Sequence, residues 1–424
     1  MDIVADLQAR GLIHDATDLE ALAKRLADGP IGVYVGFDPT ADSLHLGHLF
    51  GQLSLRRFQL AGNRPFPLAG GATGVVGDPS GRSDERNLLD RDTLRANVAA
   101  IKVQLERLLD FEPGPYAATL VDNADWTEPM TTLEFLRDVG KHVTVNQMLA
   151  KESVRARVES THGISFTEFS YMLLQANDFR WLYEHHQVEL QMGGSDQWGN
   201  ITAGIDLIRR TLGRTAHGLT WPLLTRADGA KMGKSVGGAI WLDPDKTSPY
   251  QFRQFLIQTD DELVGRYLEH LSLRPLTEIE ALLEAHAETP ERRLAQRALA
   301  DELTEVVHGP RAARAAAAAA EVLFGGSPTA APEEVLAAVG REVPSATVPP
   351  AALEDLVELL VRAGLASSKG DARRGLAQSA FSANGRKLTA ADQLGQEDLL
   401  HGRYLLLSKG RRNHHLLEIS TGVG

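Results

Sequence analysis

His45 and His48 stand three residues apart in FDPTADSLHLGHL (Phe37–Leu49), with Gly47 between them. Imidazoles at that spacing could ligate a metal, donate hydrogen bonds to phosphoryl oxygens, or cap the start of a helix. Zinc sites take three or four protein ligands, the chain has no cysteine, and H-x2-H falls short of the i,i+4 helical spacing. The adjacent pair His185 and His186 has no matching carboxylate motif, so no metal ligands and no zinc are expected. A polar cap remains open on these residues alone. The phosphate reading gains from position. A helix N-terminus offers unpaired N–H groups and the positive end of the dipole, and Gly47 leaves that backbone open to a bulky anion.

A second cationic element is DGAKMGKSVGG (Asp228–Gly238), which carries Lys231 and Lys234 in a glycine-bounded segment. It is not a P-loop, which needs four residues between its glycines where this chain has three between Gly229 and Gly233. For the two lysines alone, a solvated loop is the plain alternative. An HxGH turn followed later by a KMxKS loop is a far more specific combination.

The elements around these motifs suit that chemistry. Ile31–Phe37 (IGVYVGF) is a short apolar, β-branched run and reads as a buried strand. A polar loop follows, then apolar residues at helical spacing through LGHLFGQLSLRRFQLAG, with Gly62 as the stop. RPFPLAGG reads as the next strand, and Gly70, Gly71, Gly74 and Gly77 punctuate the turn after it. Strand, loop, helix and strand form one βαβ unit, which implies a parallel sheet wrapped by helices. Ligands sit beyond the carboxyl ends of such strands, where the HLGH stretch and the glycine cluster both fall.

Farther on, Thr247 to about Leu323 reads as helical and includes an alanine run at Ala315–Ala320. Gly325–Ala351 is rich in Pro, Gly, Ser and Ala and reads as a linker with one short helix. Leu353–Gly424 reads as a small region with two helices and a strand-rich end.

Composition narrows the function classes. At 424 residues, two or three domains are expected, and 43% hydrophobic with 24% charged residues fits a soluble globular chain. No apolar run approaches the ~20 residues of a membrane span, so no membrane is expected. MDIVADLQARGLIHD lacks the basic and apolar segments of a signal peptide, which makes the cytoplasm the expected location. The net charge of −12 argues against a generic polyanion binder, yet Val361–Gly424 holds ten Lys or Arg against five Asp or Glu. A basic tail on an acidic body suits locally organised nucleic-acid contact.

With HLGH and KMGKS in this order, the chain resembles the class I aminoacyl-tRNA synthetases. YVGFDPT, GGATGVVGDPSGR, FSYMLLQAND and GGSDQWGN resemble their bacterial tyrosyl branch, and the resemblance runs over nearly the whole length. Leu46 stands where the family has isoleucine, and Gly233 where it has serine, which removes one possible hydroxyl contact. The resemblance implies that Tyr34 and Asp178 hold a tyrosine phenol and that Asp78, Tyr171 and Gln175 hold its ammonium. Tyr171, Gln175 and Asp178 are spaced i, i+4, i+7, on one helix face, and the apolar surroundings of Tyr171 turn that face inward. It also implies Asp38, Gly47, Asp196 and Gln197 on the ATP side, with Thr40, His45, His48, Lys231 and Lys234 catalytic. Asp38 and Thr40 fit equally well as turn formers around Pro39. Arg82 and Arg86 are implied as a cationic loop for pyrophosphate.

LVELLVRAGLASSKGDARRGLAQSAFSANGRKL resembles a small RNA-binding module first described in a ribosomal protein. Lys369, Arg373 and Arg374 cluster at its helix start, and Arg386 and Lys387 form a basic turn. A folded appendage that binds nothing is the alternative. The expected fold is α/β: a Rossmann-like parallel-sheet catalytic domain at 1–222, the KMGKS loop and an α-helical domain at 223–324, a linker at 325–352, and a small α+β RNA-binding domain at 353–424. The implied activity is tyrosine activation by ATP, with Mg²⁺ on its phosphates, and transfer to tRNA(Tyr) by a homodimer. The rivals are a tryptophanyl enzyme of the same fold, a non-catalytic RNA-binding paralogue and a zinc hydrolase.

Overall fold

The computed structural model describes residues 2–80, 89–158, 163–225, 229, 232–235, 238–410 and 412–420. The chain divides into two compact units, Met1–Lys246 with Thr259–Leu299, and Thr247–Gln258 with Ala300–Gly424.

The first unit is built on a six-stranded sheet. Its strands are β1 (Asp15–Ala16), β2 (Gly32–Phe37), β3 (Arg64–Ala69), β4 (Val121–Asp122), β5 (Val188–Gly194) and β6 (His217–Trp221). They lie in the order β1–β6–β5–β2–β3–β4, all parallel except β1, which pairs antiparallel with β6. Helices cover both faces of a parallel sheet, so its strands read as apolar runs rather than alternating ones. Accordingly β6 is buried throughout, and β2 everywhere but Gly36. From β2 the chain moves outward to β3 and β4 on one side, while β5 and β6 fill the other. The carboxyl ends of β2 and β5 therefore face a crevice at the point where the strand order reverses, which is where such sheets bind ligands.

The crossover from β2 to β3 is the helix Leu46–Leu60, capped by His45. The longer helix Phe166–His186 precedes β5; Ser165 caps its start, and Gln187 ends it in the left-handed conformation. After β6 come two short strands, β7 (Lys234–Ser235) and β8 (Gly238–Ala239), which pair antiparallel. Helices Asp261–Leu271 and Leu276–Glu288 also belong to this unit, whereas the sequence suggested a separate helical domain spanning 223–324. Buried Arg10 donates to the carbonyls of Glu269, Ser272 and Arg274, and buried Arg57 to those of His270 and Ser272. Two guanidinium groups thus satisfy the carbonyls at that helix end and tie it to the sheet unit.

The second unit contains β9 (Ser345–Val348), β10 (Phe381–Ala383), β11 (Arg386–Lys387), β12 (Tyr404–Lys409) and β13 (Asn413–Ile419) in one sheet. Its order is β11–β10–β12–β13–β9, with β9 parallel to β13 and the other pairs antiparallel. The 325–352 stretch, expected as a linker with one short helix, holds the helix Glu333–Glu342 and also β9. Val335, Leu336 and Val339 of that helix pack with Tyr404, Leu406 and Leu416. The prolines that suggested a linker mark element ends instead, with Pro332 at the helix N-cap and Pro344 just before β9.

Candidate active site

A cavity of about 710 Å³ opens at the carboxyl ends of β2 and β5. Tyr34, Asp38, His45, Gly47, His48, Asp78, Tyr171, Gln175, Asp178, Asp196 and Gln197 all line it. Thr40 does not; it is exposed in the turn before the histidines, its N–H bonded to the Asp38 carbonyl. Arg82, Arg86 and Lys231 lie outside the described residues.

The cavity floor is polar and deeply buried. Asp178 accepts from Asn123 Nδ2 at 2.9 Å and from Trp126 Nε1 at 2.8 Å. Burial nevertheless raises its carboxyl to about 7, and the nearby Asp38 and Asp122 add to the rise. Burial, and then Asp178, also push the Tyr34 phenol well above its ordinary range. The Tyr34 hydroxyl and Gln191 Oε1 are buried without a hydrogen-bond partner, and the two residues face each other across β2 and β5. Buried polar atoms left in that state call for a ligand that can satisfy them. A hydroxyl that donates to Asp178 and accepts from Tyr34 would satisfy the Tyr34 phenol.

A second cluster lies beside the floor. Tyr171 donates to Asp38 Oδ2 at 3.0 Å, and Thr73 to Asp38 Oδ1 at 3.0 Å. Gln197 Nε2 donates to Asp78 Oδ2 at 2.6 Å, while Gln175 and Asn200 complete an amide network around Gln197. Four carboxylates, Asp38, Asp78, Asp178 and Asp196, therefore face one cavity, which favours a cationic group such as an ammonium.

At the rim, His45 Nδ1 accepts from the Gly47 N–H at 3.1 Å, and His48 Nδ1 accepts from the His45 N–H at 3.2 Å. Their rings stack at 3.9 Å between centroids. A ring nitrogen that accepts carries no proton, so each neutral imidazole bears its N–H at Nε2. The capping and phosphate readings are thus compatible, since capping uses Nδ1 and fixes the donor on Nε2. Glycine is required at 47 for this arrangement, because a Cβ there would stand 2.9 Å from His45 Cε1.

The lysine-bearing segment meets this turn directly. Gly233 has φ +92°, and a Cβ on it would be 3.3 Å from both Gly47 N and Leu46 Cβ. The Ile240 N–H donates to the Gly233 carbonyl and the Leu46 N–H to the Ile240 carbonyl, both at 2.8 Å. Lys234 follows immediately as the first residue of β7. HLGH and KMGKS, far apart in sequence, are thus joined through Ile240, which bonds to both Leu46 and Gly233.

Thr73, Asn123, Trp126, Gln191 and Asn200 escaped the sequence reading. Gln191 alone carried a signal, as a polar residue inside the apolar strand run VELQM. In the second unit, Lys369, Arg373 and Arg374 lie on the helix Lys369–Ala377, and Arg386 and Lys387 form β11. Asn384 (φ 48°) and Gly385 (φ 83°) supply the positive dihedrals of the tight turn between β10 and β11. Lys369 pairs with Glu358, and Arg386 with Asp392 and Asp398, all at exposed or part-exposed positions.

A parallel sheet with its strand order reversing at a cavity, flanked by an HxGH turn and a KMxKS hairpin, defines the class I synthetase architecture. Residues 26–325 match the family described as tRNA synthetases class I (W and Y), and the chain belongs to that family. Residues 334–417 match the tyrosine–tRNA ligase SYY-like C-terminal domain. The tyrosine–tRNA ligase of Opitutus terrae is 53% identical over 424 residues, covering 99% of this chain and 100% of its own length. That of Roseiflexus castenholzii is 49% identical, covering 98% and 99%. The solved structure of a C-terminally truncated Aspergillus nidulans mitochondrial tyrosyl-tRNA synthetase superposes with a TM-score of 0.70 at 34% identity, over 76% of this chain and 94% of that one. Within the class, the activity is that of a tyrosine–tRNA ligase: L-tyrosine is activated by ATP and transferred to tRNA.

Proposed function

We propose that Tyr34 and Asp178 hold the substrate phenol, and that Asp78, Tyr171 and Gln175, with Asp38 close by, hold its ammonium. ATP would lie along Asp38, Gly47, Asp196 and Gln197, with Arg82 and Arg86 assigned to the pyrophosphate; Mg²⁺, when bound with ATP, would neutralise part of its phosphate charge. The tyrosine carboxylate is already ionised, so activation needs no general base. A carboxylate oxygen bonds to the α-phosphorus as the bond from that phosphorus to the pyrophosphate breaks. The Nε2–H groups of His45 and His48 stabilise the negative charge that grows on the phosphate, and Lys231 and Lys234 that of the departing pyrophosphate. Transfer then joins the tyrosyl carbonyl to the terminal ribose hydroxyl of tRNA and releases AMP.

The support comes chiefly from one arrangement: Gly233 packed on Gly47 at the rim of the cavity whose floor is Tyr34 and Asp178. Lys234→Ala should leave tyrosine affinity nearly intact and slow tyrosine-dependent ATP–pyrophosphate exchange by roughly 10²-fold, the usual effect of losing one charge-stabilising donor. Equal exchange rates for variant and parent would reject the role.

The tRNA body is assigned to the second unit. Lys369, Arg373, Arg374, Arg386 and Lys387 read phosphates and shape rather than bases, and the exposed ion pairs of Lys369 and Arg386 can be exchanged for phosphate contacts at little cost. A homodimer is supported by exposed apolar side chains. Six of the eleven large apolar residues exposed among the described ones fall between Leu133 and Phe166. No helix among the described residues is long and apolar enough to cross a membrane. By its likeness to bacterial tyrosine–tRNA ligases we assign the enzyme to the cytoplasm.

A further inference from the structure

We infer that Trp181 is a positioning residue for the phenol-binding carboxylate, acting through the indole of Trp126. The inference rests on the assignment of Asp178 to the substrate phenol.

Trp126 belongs to a helix of only four residues, Ala124–Thr127, which has little rigidity of its own. Its buried indole is held from the Phe166–His186 helix at two points. The first is the Nε1–H donated to Asp178 Oδ1 at 2.8 Å. The second is Trp181, three residues beyond Asp178, whose ring stacks on Trp126 with centroids 4.2 Å apart and planes 11° from parallel. Residues three apart lie on one helix face, so a single helix presents both the acceptor for the indole N–H and the surface that sets the ring plane.

Trp181 is itself held on its other side. His185 stacks against it at 4.3 Å and 15°, and the His185 Nδ1–H donates to the Trp181 carbonyl at 2.9 Å. A near-parallel column of three rings therefore runs from the cavity floor to an exposed histidine. Hydrogen bonds weaken steeply as they bend, so a tilt of the indole would loosen one of the two donors on Asp178. That carboxylate must accept the substrate hydroxyl from a fixed direction. Without the backstop of Trp181, its orientation would rest mainly on Asn123.

The test is tyrosine-dependent pyrophosphate exchange by the full-length enzyme carrying Trp181→Ala, Trp181→Leu or Trp181→Phe. The first two remove the flat surface, and Leu keeps most of the bulk should Ala fail to fold. Both should raise the KM for tyrosine by roughly three- to tenfold, the range of one aromatic stack. They should lower the preference for tyrosine over phenylalanine by the same factor, with kcat and the KM for ATP within about twofold of the parent. Trp181→Phe, which retains a planar ring, should recover most of the loss. A folded Trp181→Ala or Trp181→Leu enzyme with unchanged tyrosine KM would overturn the inference. So would equal rises in the KM for tyrosine and ATP, or a Phe variant no better than Leu. Asp178→Asn in the same assay separates the two layers. If it raises the tyrosine KM while Trp181→Leu does not, only the role of Trp181 fails; if it changes nothing, the phenol assignment fails first.

Discussion

As the proposed phenol acceptor, Asp178 would distinguish a hydroxyl from its absence by a single buried carboxyl. Two donors hold it in place, yet burial leaves it near half-protonated at about pH 7. The ionised form can accept the phenol hydroxyl, so tyrosine binding should draw the proton off. The KM for tyrosine in the parent should therefore rise as pH falls below 7, by up to about tenfold per unit. Asp178→Asn should flatten that limb, because an amide does not titrate. It also turns an NH₂ toward Asn123 or Trp126, both donors, leaving one buried donor unmatched. That mismatch is present with either amino acid; what tyrosine alone loses is its hydrogen bond to a charged acceptor, worth about 1.5–3 kcal/mol, so tyrosine KM should rise roughly ten- to a hundredfold while phenylalanine use changes little. Exchange assays with both amino acids from pH 5.5 to 8.5 would show it; a parallel pH profile in parent and variant would remove Asp178 from phenol recognition.

At the scale of elements, the legible parts were those whose chemistry is local. HLGH and KMGKS name their groups within a few residues, and β2 announces itself as an apolar run. Asn123 and Trp126 come from a short irregular segment beyond β4, with no periodicity to mark it. The docking of the Asp261–Leu271 helix was equally hidden, since it depends on Arg10 and Arg57 reaching its terminal carbonyls from far along the chain. That docking has a measurable signature in His270. The ring is buried edge-on to Phe50, and burial, reinforced by Arg266 and Arg57, pushes it down to about 4. In the unfolded chain an ordinary histidine takes up a proton near 6.5, well above the folded value. Stability from this group is thus complete above about pH 6.5 and is lost as pH falls toward 4, by on the order of 3 kcal/mol. His270→Leu should shallow the acid limb of a urea-melt series; identical limbs would show that the ring does not control it.

For the whole molecule, the question is what meets the exposed apolar side chains that fall between Leu133 and Phe166. Leu133 is 79% and Phe166 78% exposed, and Leu136, Val145, Leu149 and Val158 are exposed as well. Stable interfaces bury about 1,200–2,000 Å² with an apolar centre, and a surface that pairs with its own copy meets each substitution twice. Phe166→Asp would thus place two carboxylates in one desolvated interface. Each would cost several kcal/mol unless water returned, and every 1.4 kcal/mol weakens association tenfold. Sedimentation velocity at micromolar concentration should give the parent about twice its 46.0 kDa chain mass and the variant a single chain. Leu60→Asp, at a residue 58% exposed on the Leu46–Leu60 helix, serves as the control and should leave the parent mass unchanged. A single-chain parent, or a Phe166→Asp variant that still sediments as a pair, would mean that this stretch does not join two copies. Dissociation by both substitutions alike would show that added charge, rather than the 133–166 surface, separates the chains.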